Sequence, residues 1–109
     1  MIRMFRLFSL TFFWLAACQT PPTPLPIAET KLIEIIADVH LAEAGFRELP
    51  YQLKDSLAPI YYERIMASHQ VSMADFDSSM FIIREDPDRL QAIYTKVMEQ
   101  LSTREAESQ

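Results

Sequence analysis

Two places in this sequence carry side chains able to do chemistry together: His40 with Glu43, and Cys18, the only cysteine. A histidine and a glutamate three residues apart share one face of a helix, where they can relay a proton or offer two ligands to a metal ion. On a 3.6-residue wheel Glu43 falls between Val39 and Ile36, inside an apolar stripe, with His40 at the stripe's edge. A carboxylate drawn into a core is costly unless it is paired. Glu43 is therefore expected to be largely buried against Arg47 at i+4, His40 at i−3, or a hydroxyl from Tyr61, Tyr62 or Tyr94. Two readings stay open: a buried polar network of His40, Glu43 and Arg47 that orients helices, or a metal or acid–base pair of His40 with Glu43. Two ligands on one helix are too few for a metal site and His69 is the only other histidine, so no metal and no cofactor is expected.

The remaining candidates are weaker. One glycine in 109 residues excludes a Gly-rich phosphate loop. Asp77, Ser78 and Ser79 lack the flanking glycines of a nucleophile elbow, and the serines are expected on a helix surface. Asp75, Asp77, Glu85, Asp86 and Asp88 lack the spacing and central glycine of a calcium loop and read as a solvated acidic surface. No catalytic residue is assigned, and the chain is not expected to be an enzyme.

Cys18 has a different chemistry. Arg3 and Arg6 precede a short apolar run, Leu7 to Leu15, which ends in Ala16-Ala17. That run is far short of the roughly 20 residues of a spanning helix and reads as a signal peptide over residues 1–17. Leu15-Ala16-Ala17-Cys18 resembles the lipobox of bacterial lipoprotein precursors. The resemblance implies cleavage before Cys18, lipid on its sulfur, and attachment to a membrane through that lipid. Two or three acyl chains hold a protein firmly where one does so only marginally. Residues 18–28 follow as a lipidated cysteine and a spacer with four prolines between positions 21 and 26, extended rather than helical and holding the domain off the membrane. Gln19 is not the aspartate of an inner-membrane retention signal, and no acidic residue precedes Glu29, so the expected place is the outer membrane, facing the periplasm.

The rest must supply one small core. Half the residues are hydrophobic, and one Gly against seven Pro disfavours tight β-turns. Loss of the leader lowers Lys plus Arg from 10 to 8 against 15 Asp plus Glu, a formal charge of −7, which excludes nucleic acid as a partner. The periodicity predicts four helical segments. The first spans 29–46, with Leu32, Ile35, Ile36, Val39, Ala42 and Phe46 inward, Glu34 and Asp38 opposite, and Gly45 as its cap. Residues 47–54 read as a loop, and a second helix over 55–69 starts from Asp55 or Ser56, with Pro59 in its first turn. A third begins at Ser72, its capping box using Asp75, and buries Met73, Phe76, Met80 and Ile83. A fourth begins at Asp86-Pro87-Asp88, with Leu90, Ile93, Tyr94, Val97, Met98 and Leu101 inward. The fold class is all-α, a small bundle of three to four helices over residues 29–102, behind the signal peptide and spacer, with a fraying polar tail at 103–109. Phe81 and Ile82 point away from the third helix's core face and form a candidate partner surface, unless that helix is wedged centrally and buries both faces.

Several segments resemble the domain of unknown function 4296 family, small lipoproteins of Bacteroidota. They are Asp38-Val39-His40-Leu41-Ala42-Glu43-Ala44, Tyr61-Tyr62 with Ile65 and His69, Val71-Ser72 with Phe76, and Pro87 with Leu90 and Tyr94. The likeness covers roughly residues 26–101, with Ile82-Ile83 where the family's pattern often carries two tyrosines. It implies localisation and fold, and no reaction. The expected function is a membrane-anchored, non-catalytic interaction or accessory module with a protein partner in the envelope. The alternative is a small ligand- or metal-binding lipoprotein using His40 and Glu43.

Overall fold

A computed structural model describes residues 20–109; the leader and Cys18 lie outside that range. Four helices follow in order: α1 Glu29–Phe46, α2 Tyr51–Ser68, α3 Met73–Arg84 and α4 Pro87–Glu107, with no strand among the described residues. The domain is an all-α small bundle.

The core is organised by α1. Leu32, Ile33, Ile35, Ile36 and Ala37 are all buried, an apolar arc wide enough for α2 to pack on one side and α4 on the other. Ile83 of α3 and Ile93 and Val97 of α4 are fully covered and close the core with them. Full burial of such a side chain is worth about 1.5–3 kcal/mol. α2 runs antiparallel to α1: Tyr62 bonds to Glu43, Tyr61 packs edge-on to Phe46, and His69 at the far end reaches Asp38. α4 runs parallel to α1. Arg89 and Lys96 lie 3.5 and 3.8 Å from Glu29, and Arg104 reaches Asp38 more than two turns further along α1.

Two start signals act as the sequence predicts. The Ser72 hydroxyl accepts the Asp75 N–H, and the Asp86 carboxylate accepts the Arg89 N–H with Pro87 in the first helical position. Four expectations need correction. Gly45 is no cap: it lies inside α1, without a positive φ, and the helix closes at Arg47. α2 starts at Tyr51, one turn before Asp55. Pro50, with ψ 148°, stands at its cap, and the Pro50 carbonyl takes the N–H groups of Leu53 and Lys54. Pro59 is thus inside α2, where it leaves the Asp55 carbonyl without its helical donor. Both residues are exposed, so water can satisfy that carbonyl. Third, α4 continues to Glu107 rather than fraying from 103, its last turns tied down by Arg104. Fourth, the spacer's end belongs to the fold. Ile27 is buried, Leu25 packs on the core, Ile27 N–H donates to Ser79 Oγ, and Arg89 donates to the Thr23 carbonyl.

α2 ends in a left-handed residue, Gln70 at φ 58°. Val71 N–H reaches the Met66 carbonyl and Gln70 N–H the Ala67 carbonyl, both at 3.1 Å, which is a Schellman closure. A side chain in that conformation costs roughly 1–2 kcal/mol, part of which glycine recovers. Gln70→Gly is expected to stabilise the domain by about 0.5–1 kcal/mol in thermal or urea unfolding. A loss of stability there would show that the Gln70 side chain is itself held.

Candidate functional site: a cleft bounded by all four helices

A cleft of about 460 Å³ opens between the helices, within the size range of small-molecule sites. Its floor is apolar, made by Ile36 and Val39 of α1 with Phe76 and Met80 of α3. Its rim is polar, with His40 and Glu43 from α1, Tyr62 from α2, Asp77 and Arg84 from α3, and Tyr94 from α4. A larger space of about 900 Å³ is lined by α4 alone and is open surface rather than a site.

His40 and Glu43 both line this cleft; of the partners expected for Glu43, Tyr62 bonds to it, whereas His40 and Arg47 do not. The Glu43 Oε1 accepts the Tyr62 hydroxyl at 2.9 Å, while His40 packs edge-on to Tyr94 with ring centroids 5.9 Å apart. Arg47 is exposed and contributes its carbonyl, which accepts from Lys54. Glu43 is exposed, not buried. The apolar arc of α1 is widest at Leu32–Ala37 and has narrowed one turn beyond, so the wheel position that is interior at Ile36 is on the rim at Glu43. Burial of Tyr62, with the hydrogen bond and negative charge of Glu43 beside it, raises its hydroxyl above the ordinary tyrosine value.

A part-buried polar network sits elsewhere. Asp38, expected on the outer face, has a side chain only 29% exposed and accepts at 2.6 Å from both Arg104 and His69 Nε2. Lys31 donates to the His69 carbonyl. This node ties α1, the end of α2 and the last turns of α4 together. The signal for it was the unbroken Ile35-Ile36-Ala37 run, which implies a helix covered on both flanks and so draws Asp38 into contact.

Other expectations change too. Ser79 is fully buried and not on the surface, and its hydroxyl is satisfied there: it donates to the Asp75 carbonyl and accepts from the Ile27 N–H. Met73 and Met98, expected inward, are exposed. Phe81 is 64% exposed, whereas Ile82 is partly covered, so the candidate partner surface is Phe81 with only an edge of Ile82. Among the described residues no three His, Cys, Asp or Glu side chains gather as a metal site.

Fold and cleft together define a small all-α domain with a mixed apolar and charged pocket. The chain belongs to the family described as Domain of unknown function (DUF4296), whose family model matches residues 25–107. The match starts at Leu25, where the spacer first packs on the core, and ends with the last residue of α4. No curated protein and no solved structure matches the chain.

Two outcomes follow for stability. Burial alone would raise the Asp38 carboxyl, but the hydrogen bonds and charges of Arg104 and His69 outweigh it and hold the group below the usual carboxylate range. A depressed carboxylate stabilises above its unfolded pKa, about 3.9, and that contribution fades as pH falls through the lower folded value. Asp38→Asn should lower stability by about 1–2 kcal/mol between pH 5 and 8, and the gap to wild type should close below about pH 4 in pH-resolved melts. A gap that is independent of pH would mean the charge of Asp38 contributes nothing. Phe81→Ser should change stability by less than about 0.5 kcal/mol, while Ile82→Ser should cost more, as chemical denaturation would read.

Proposed function

We propose that this protein is a lipoprotein of the cell envelope, cut before Cys18, anchored through lipid on that cysteine, and serving as a non-catalytic interaction or accessory module. The observation that carries the reading is Leu15-Ala16-Ala17-Cys18 at the end of a short apolar run, a few residues before folded structure begins. Arg89 holds the Thr23 carbonyl, so only four residues of sequence separate Cys18 from the first point held against the fold, a reach of at most roughly 14 Å at about 3.3–3.6 Å per residue. Such a tether keeps the amino-terminal end of α1 and the α3–α4 turn beside the bilayer rather than far from it. Gln19 favours the outer membrane, and the absence of acidic residues before Glu29 favours its periplasmic face. On this reading a protein partner meets the exposed Phe81 face of α3.

A second reading has its own observation. His40 and Glu43 stand on the wall of a cleft shared by all four helices, which favours a ligand-binding lipoprotein over a purely structural one.

Mass spectrometry of the mature protein should find a diacylglyceryl-cysteine at position 18, and Cys18→Ser should release the chain from membranes or leave it unprocessed. A mature terminus elsewhere without lipid would overturn the anchor.

A further inference from the structure

The cleft is electrically polarised along α3. Asp77 and Arg84 both line it and are seven residues apart, within about 20° of one face and about 10.5 Å along the axis. Neither forms an ion pair among the described residues. α3 runs antiparallel to α1 here. Ser79 lies against Ile27, just ahead of α1, whereas Met73 at the start of α3 shares a second hollow with Tyr62, the partner of Glu43. The Asp77 end of the cleft is therefore the Glu43 end, with two carboxylates and the Tyr62 ring. Arg84 stands alone at the other end. Met80, about one turn from each along α3, lies between them, and Val39 lines the same cleft from α1.

We propose that this cleft binds a short zwitterionic peptide of about three residues, its ammonium at Glu43 and Asp77 and its carboxylate at Arg84. The inference rests on reading the cleft as a ligand site and names the ligand class. An extended chain covers about 3.3–3.6 Å per residue, so three residues span roughly the separation of Asp77 and Arg84. A guanidinium matches a terminal carboxylate as a two-pronged donor. An ammonium gains from carboxylates and from aromatic faces, and the Tyr62 ring stands at that end. The central side chain meets Met80, and the flexible methionine lets its identity vary. The site reads the two ends of a peptide and tolerates the middle.

The test is isothermal titration of the detergent-solubilised mature chain with Ala-Leu-Ala, its N-acetyl form, its C-amide form, and the doubly blocked peptide. The free peptide should bind saturably, and each block should weaken binding by about tenfold. Arg84→Gln should remove the penalty for amidation, and Glu43→Gln with Asp77→Asn the penalty for acetylation, the signature of a paired contact. These three residues are exposed, so the variants should fold, as melting curves would check. Equal binding of the free and doubly blocked peptides, lost in the variants, would overturn the zwitterion but keep the cleft. Binding indifferent to all the variants, or no binding at millimolar peptide, would overturn the cleft as well.

Discussion

Every element of this domain depends on how widely α1 is apolar between Leu32 and Ala37. Five of six consecutive residues there are buried, which a helix tolerates only when neighbours cover more than one side of it. α4 supplies Ile93 and Val97 and α3 supplies Ile83, all fully covered, while α2 contributes a single buried side chain, Met66. The bundle is therefore unequal. α2 leaves Tyr51, Leu53, Ile60 and Tyr61 exposed and is fastened by polar contacts more than by burial.

That imbalance gives the Asp38 node its weight. α1 and α4 run parallel, so no short turn joins them and their register must come from side chains. Glu29 with Arg89 and Lys96 sets one end, but those contacts are long and partly solvated and are worth little each. Asp38 is different. Two donors converge on its two oxygens from two helices, and removing either would leave a partly covered carboxylate short of a partner. The same contact explains why residues 103–107, polar except for Ala106, are helical: Arg104 is anchored from within them.

The sequence was most legible where one signal acted alone. Asp86-Pro87 and Ser72 mark starts through their own side chains, and both fall where the structure has them. The start of α2 was obscured because two prolines competed. Pro59 argued for a late start, yet Pro50 already presents its carbonyl to Leu53 and Lys54, and an exposed proline inside a helix costs less when water takes the orphaned carbonyl. Glu43 and Asp38 were exchanged in role. A helical wheel assumes the same arc is buried along the whole helix, whereas α1 is covered on two flanks near its start and on fewer near its end. Ser79 was illegible for another reason: what buries it is Ile27, from a proline-rich segment that no periodicity assigns to the core.

The cleft follows from helix lengths. At about 1.5 Å per residue the 12 residues of α3 span roughly 18 Å, against about 27 Å for the 18 of α1 and 31 Å for the 21 of α4. α3 cannot cover the whole groove between them. It covers the end nearest Ile27, where Ile83 and Met80 are buried, and starts too late to cover Val39, His40 and Tyr94, which stay partly open. An uncovered apolar groove that stayed purely apolar would invite association, but this one is rimmed by Glu43, Asp77 and Arg84. Charged groups at a rim favour water over apolar association, and on the peptide proposal an occupant with matching ends would displace that water. The short third helix thus creates the opening, and on that proposal the charges at its edges would decide what fills it.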